Sequence, residues 1–138
     1  MMRLLACDFG TKIIGVAYGT VDENNVPAVT PIPSIKVASW QYAVAQIITL
    51  VKQYKIDTLV FGNPLNQKGE ETLTSLEVKK FTRFLTNRLK IPLILVNESY
   101  TTKDALEQNA SLSYNIHSQS AELILLNYLE QTPQTLKL

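Results

Sequence analysis

The chain has 138 residues, 46% of them apolar and 18% charged, with a formal net charge of +1. That length holds one sizeable core, and the composition is that of a globular chain instead of a disordered one; a sole cysteine, Cys7, excludes an internal disulfide framework or a cysteine-based metal cluster. No run approaches the roughly 20 apolar residues of a membrane span, and the near-neutral charge denies the chain the broad basic excess of a non-specific nucleic-acid binder.

Taken in chain order, Arg3–Asp8 reads as a short buried strand ending in an acid, and the apolar N-terminal stretch stops there, short of a signal-peptide core. A reducing cytoplasm is the expected compartment. Gly10-Thr11-Lys12 turns the chain, and Ile13–Gly19 returns as a second strand. After a turn at Asp22–Asn25, the segment Val29–Val37 supplies a third, proline-interrupted strand. Ser39 is the N-cap of a helix reaching Tyr54, with Ala43, Ile47, Leu50, Val51 and Tyr54 on one face. Thr58–Gly62 is a continuous apolar strand, as in a sheet covered on both sides.

A polar loop over Asn63–Gly69 leads to a helix over Glu71–Leu89, in which Val78, Phe81, Leu85 and Leu89 align, and Pro92–Val96 is a further buried strand. Thr101 with Asp104 resembles a capping pair for a short helix. A last helix runs over Ser118–Glu130 with Ala121, Leu125, Tyr128 and Leu129 inward, and residues 132–138 read as the frayed tail of a single domain over 1–138. The order β-β-β-α-β-α-β-α-α implies an α/β domain: a mixed five-stranded sheet, made of a three-stranded antiparallel meander and two parallel strands, with helices on both faces. Several folds share this order.

Four segments narrow the choice. Asp8-Phe9-Gly10-Thr11-Lys12, followed by Ile14-Gly15-Val16-Ala17, puts a carboxylate at a strand end beside a glycine turn. Gly62-Asn63-Pro64-Leu65-Asn66-Gln67-Lys68-Gly69 follows the fourth strand, and Asn97-Glu98-Ser99-Tyr100-Thr101-Thr102 follows the fifth. The last is Ile116-His117-Ser118-Gln119-Ser120-Ala121, with the pairs Ile124-Leu125 and Tyr128-Leu129 after it. In this order, from Leu4 to Glu130, the segments resemble the YqgF (RuvX-like) family.

The resemblance implies an RNase H-like fold related to Holliday-junction resolvases, and hydrolysis of phosphodiesters with a divalent metal, Mg2+ or Mn2+, as two ions with substrate. It implies RNA as partner, through 5′-end maturation of precursor 16S ribosomal RNA, or else branched DNA; no membrane is involved, and the chain acts as a monomer or weak homodimer. Two-metal hydrolysis needs hard oxygen ligands on neighbouring elements, so that two ions lie about 4 Å apart around one phosphate. Carried over residue by residue, Asp8 bridges the ions, Glu98 holds one of them, and His117 stands where the family carries its third acid. Thr11, Lys12 and Asn66 are the candidate phosphate contacts. Lys79, Lys80, Arg83 and Arg88 form a basic run whose polarity suits an RNA backbone.

The chain departs from the family pattern at four places. The usual Asp-Glu-Arg after the fifth strand is Asn97-Glu98-Ser99, the usual Met-Asp of the fourth-strand loop is Gln67-Lys68, and the third acid is His117. Imidazole is a softer donor without charge, which favours manganese or zinc over magnesium. These departures support an alternative: a non-catalytic or catalytically weakened nucleic-acid-binding relative of the same fold. Each residue also has a plainer reading. Asp8 can serve as a turn former, Glu98 as a helix-start acid, His117 and the basic run as solvated surface, Lys12 as a hairpin cap, Thr101 and Thr102 as capping residues, and Cys7 and Trp40 as core. Asp-x-Gly-Thr-Lys also resembles the first phosphate loop of actin-like kinases, but that architecture needs two such domains around its nucleotide.

Overall fold

The structure, a computed structural model, describes residues 1–99 and 113–131, the side chains of residues 99, 113–118 and 131 excepted. The expected cap at Thr101 and the tail 132–138 lie outside the described residues. The elements are β1 (Met2–Asp8), β2 (Ile13–Val21), β3 (Pro27–Lys36), α1 (Trp40–Tyr54), β4 (Thr58–Leu65), α2 (Leu73–Thr86), β5 (Leu93–Ser99) and α3 (Ser113–Gln131). The sheet order is β3-β2-β1-β4-β5. β1, β2 and β3 pair antiparallel, and β4 joins β1 and β5 in parallel, which is the mixed sheet the pattern implied.

Strand alternation sends successive side chains to opposite faces, and both faces are covered. Leu5, Cys7, Phe9, Leu59 and Phe61 meet Ala43, Val44 and Ile47 of α1 and Val78, Phe81 and Leu85 of α2. Leu4, Ala6, Val60 and Val96 meet Ile124, Leu125, Tyr128 and Leu129 of α3. An aromatic cluster closes the first core at the end of β1: the Phe9 ring centroid lies 4.9 Å from Phe81 and 6.3 Å from Trp40. Trp40 is therefore a packing residue, as its plainer reading had it. Pro27, Pro31 and Pro33 sit on β3, an edge strand, where a missing N–H leaves fewer free donors for unwanted pairing.

Several boundaries differ from the sequence expectation, each for a local reason. α2 begins at Leu73 instead of Glu71, because Thr72 caps it. The Thr72 hydroxyl accepts from the Ser75 N–H at 3.0 Å, and the Ser75 hydroxyl accepts from the Thr72 N–H at 2.8 Å. It ends at Thr86, short of Leu89, as Arg88 N–H turns back to Leu85 carbonyl in a tighter turn.

β4 runs on through Asn63-Pro64-Leu65, which the sequence reading gave to a loop. β1 pairs with β4 only as far as Phe61, so β4 is an edge on that side where Pro64 needs no donor. β5 likewise continues past Val96 to Ser99, pairing Glu98 with Pro64. α3 starts at Ser113, five residues before Ser118, so His117 lies inside the helix instead of at its start. Among the described residues no helix is long and apolar enough to cross a membrane.

Phe81 is fully buried at the meeting point of Phe9, Trp40 and Phe61. Truncation there should cost about 3–5 kcal/mol; urea unfolding of Phe81→Ala checks this, and a loss under about 1 kcal/mol would show the cluster can collapse around the gap.

Candidate active site

Asp8 ends β1 and is 7% exposed. Its direction is set by its neighbours. Cys7 and Phe9 point into the core under α1 and α2, so Asp8, between them, points to the α3 face beyond Ala6. Gly15 lies opposite it on β2, and there β3 slips register: Ile14 pairs with Ile35 but Val16 with Ile32. Such a bulge bends the strand next to the carboxylate. The turn beyond Asp8 is tight enough that a Cβ on Gly10 would stand 2.5 Å from the Ile13 carbonyl oxygen.

Glu98 reaches the same face by the same alternation. Ile94 and Val96 pack toward α3, and Glu98 is next in that row. Gly62 lies between the two acids in the sheet, and a Cβ there would meet Ile124 Cδ1 at 2.6 Å and Glu98 Cγ at 3.5 Å. The bare glycine lets α3 lie close over the strand ends without filling the space above the acids. Asp8, Gly62, Pro64, Glu98, Ser120, Leu123 and Ile124 line one cleft, open to solvent. On the α3 side, Asn127 Nδ2 donates to Glu98 Oε1 at 2.9 Å.

The structure thus brings Asp8 and Glu98 together and adds Ser120 and Asn127, which the sequence reading did not single out. The signal for Asn127 was present: one amide in the otherwise apolar run Leu123–Leu129, interrupted only there and ending in the buried Tyr128-Leu129 pair. His117 lies three residues before Ser120 on α3, with its side chain outside the described residues. Among the described residues, no three His, Cys, Asp or Glu side chains cluster as a metal site. Two carboxylates and a serine hydroxyl are hard oxygen donors, and they fit a small divalent cation that keeps part of its water shell.

The other candidates sit elsewhere. Asn97 alternates away from Glu98: Asn63 Nδ2, on the α1–α2 side of β4, donates to Asn97 Oδ1 at 3.0 Å. Asn66 organises its own loop, its Oδ1 accepting from the N–H groups of Lys68 and Glu70 at 2.9 Å each. Thr11 and Lys12 are exposed on the turn after β1, where the Lys12 carbonyl accepts from Val37 N–H. Lys80 and Arg83 are exposed and Lys79 pairs with Glu71, all on α2, which covers the face opposite the cleft. Arg88 stacks its guanidinium 3.8 Å over the Phe84 ring. Cys7 is wholly buried, and burial, with the Asp8 charge beside it, pushes its thiol well up from the usual range.

Set beside known proteins, residues 2–131 match the family described as RuvX: Holliday junction resolvase. A protein of Escherichia coli O157:H7 named "Putative pre-16S rRNA nuclease" is 34% identical over 135 residues, covering 93% of this chain and 96% of its own. One of the same name in Syntrophus aciditrophicus is 34% identical over 140 residues, covering 96% and 91%. Among solved structures, T. thermophilus RuvC in complex with Holliday junction substrate superposes with a TM-score of 0.61 at 11% identity, covering 91% of this chain and 92% of that one. The fowlpox virus Holliday junction resolvase gives 0.58 at 17% identity, covering 94% and 99%. At such identities the likeness is one of fold, and it bears out the RNase H-like architecture.

Two outcomes follow from this geometry. Asn97→Asp adds a carboxylate on the far side of β5, so calorimetric titration should find Mn2+ affinity within about twofold of wild type; a gain near tenfold, in the range of ligand-shell effects, would mean residue 97 reaches the cleft. Cys7 should resist a thiol reagent in the native protein and react only on unfolding, and rapid labelling without denaturant would contradict its burial.

Proposed function

The chain belongs to the RuvX family, and from that membership and the cleft we propose that it is a metal-dependent endonuclease that cuts phosphodiesters in structured nucleic acid. The preferred substrate in this reading is the 5′ end of precursor 16S ribosomal RNA, in the cytoplasm; relatives of this chain carry the name "Putative pre-16S rRNA nuclease", and the family is described as a Holliday junction resolvase. The observation that carries the proposal is the placing of Asp8 and Glu98 on one sheet face, in one solvent-open cleft.

A divalent cation bound there would polarise the scissile phosphate and lower the pKa of an attacking water. Asp8 and Glu98 would hold it, and Ser120 is the further oxygen donor on the helix side. Asp8 is fixed through Phe9, which anchors the strand end in the aromatic cluster, so its carboxylate is presented without the disorder of a loop. Leu123 and Ile124 make the apolar wall of the cleft, reducing the water around the acids and strengthening their field. His117, one helical turn before Ser120, is the candidate third ligand. A neutral imidazole there disfavours magnesium and favours manganese. Thr11 and Lys12, exposed just beyond Asp8, are the nearest candidates in sequence for the substrate backbone.

A second reading, a nucleic-acid-binding protein with weakened chemistry, draws on the lack of a third acid among the described residues that line the cleft. The two readings divide on metal. Calorimetric titration of Mn2+ into wild type and Asp8→Asn should show binding by wild type alone. Cleavage of precursor RNA and of a four-way junction should then fall to background in Asp8→Asn. Undiminished cleavage by that variant sinks the nuclease assignment at this cleft, and binding of RNA with neither metal binding nor cleavage favours the second reading. His117→Asp should shift the metal preference toward magnesium, and an unchanged metal profile would remove His117 from the ligand set.

A further inference from the structure

We propose that Asn127 is a positioning residue, holding the Glu98 carboxylate in the orientation that receives the cation. The inference rests on the nuclease reading of the same cleft.

Asn127 stands out from its surroundings on α3. Leu123, Ile124, Leu125 and Leu126 precede it and Tyr128 and Leu129 follow, so a solitary amide interrupts an apolar helix surface. Its placement is not loose. Ile124, one turn earlier, lies against Gly62 so closely that a Cβ on that glycine would stand 2.6 Å from its Cδ1, and Tyr128 and Leu129 are each 8% exposed. The helix is thereby pinned to the sheet immediately beside Asn127, and the side chain is carried to Glu98, on a different element, 29 residues away in sequence.

The chemistry of the contact settles its polarity. An ionised carboxylate only accepts, so the amide must present its nitrogen, and Nδ2 donates to Oε1 at 2.9 Å. A neutral donor suits this task better than a cation. A lysine or arginine in its place would also orient Glu98, but its charge would repel an incoming metal ion and cancel the charge of the ligand. An amide fixes the carboxylate and leaves the full negative charge for the cation. Glutamate also has three rotatable bonds to immobilise, and a partner that pins one oxygen removes much of that cost before the metal arrives.

The test uses the full chain and Mn2+ as probe, in wild type, Asn127→Leu and Asn127→Ala; the leucine keeps the volume and the alanine keeps the helix. Calorimetry should show Mn2+ dissociation constants about tenfold weaker in both variants. In the metal-free protein, the Asn127 side-chain amide resonances should move on Glu98→Gln, which a merely structural asparagine far from the carboxylate would not show. Saturating Mn2+ should return most of the cleavage rate in both variants. Mn2+ affinity within twofold of wild type in both folded variants overturns the positioning role and leaves the nuclease reading standing. Absence of Mn2+ binding in wild type overturns both together.

Discussion

The burial of β1 on both faces fixes the site before any catalytic residue is considered. Leu4, Leu5, Ala6 and Cys7 are fully buried, and Phe9 is 2% exposed. Because the side-chain period of a strand is two, a slip of one residue would exchange its entire set between the two cores. Phe9 would leave the aromatic cluster, and the Asp8 carboxylate would enter it unpaired, at a cost of several kcal/mol. The core therefore selects one register, and that register turns Asp8 toward α3. The aromatic cluster under α1 and α2 thereby helps to set where Asp8 stands on the other side of the sheet.

Parallel pairing extends the constraint to Glu98. Cys7 pairs with Phe61 and Pro64 with Glu98, so β4 carries the level of β1 across to β5 and the two acids finish at the same edge. Carboxyl ends of parallel strands are where ligands of open α/β sheets bind. Two details keep that edge usable. β1 stops pairing with β4 before Pro64, which leaves the ends splayed instead of closed. Gly62 admits α3 close to the sheet, so the helix roofs the acids with a serine and two aliphatic side chains and leaves the opening to solvent.

Most of the architecture was legible in the sequence because it rests on periodicity. The meander, the buried Thr58–Gly62 segment and the apolar faces of α1 and α2 are patterns of period two or near 3.6, and they appear where the patterns put them. What failed to read were the polar ends of strands. Asn63-Pro64-Leu65 and Asn97-Glu98-Ser99 carry loop composition, yet they pair with each other; the partner that makes each a strand lies more than 30 residues away and leaves no local mark. The same error hid which way Asn97 faces, since a loop residue has no alternation to obey. Asp8 and Glu98 were found through their motifs, whereas Ser120, although inside the last motif segment, had no role there and Asn127 lies outside all four, because both are defined by what the packed helix faces.

That geometry changes the weight of the departures from the family pattern. Asn97, in place of an acid, bonds Asn63 on the far face of β5, and Lys68 is exposed on a loop whose turn Asn66 holds. Neither alters the charge lining the cleft. The remaining departures, Ser99 and His117, have side chains outside the described residues, and neither position is among those that line the cleft. Under the proposed ligand set, with His117 as third ligand, the donors would change from an all-oxygen set to one with a nitrogen, while Asp8 and Glu98 stay in the cleft. In that proposal the substitutions would act on which metal is held more than on whether one is held, because the two cleft acids are kept and Glu98 has a neutral partner in Asn127.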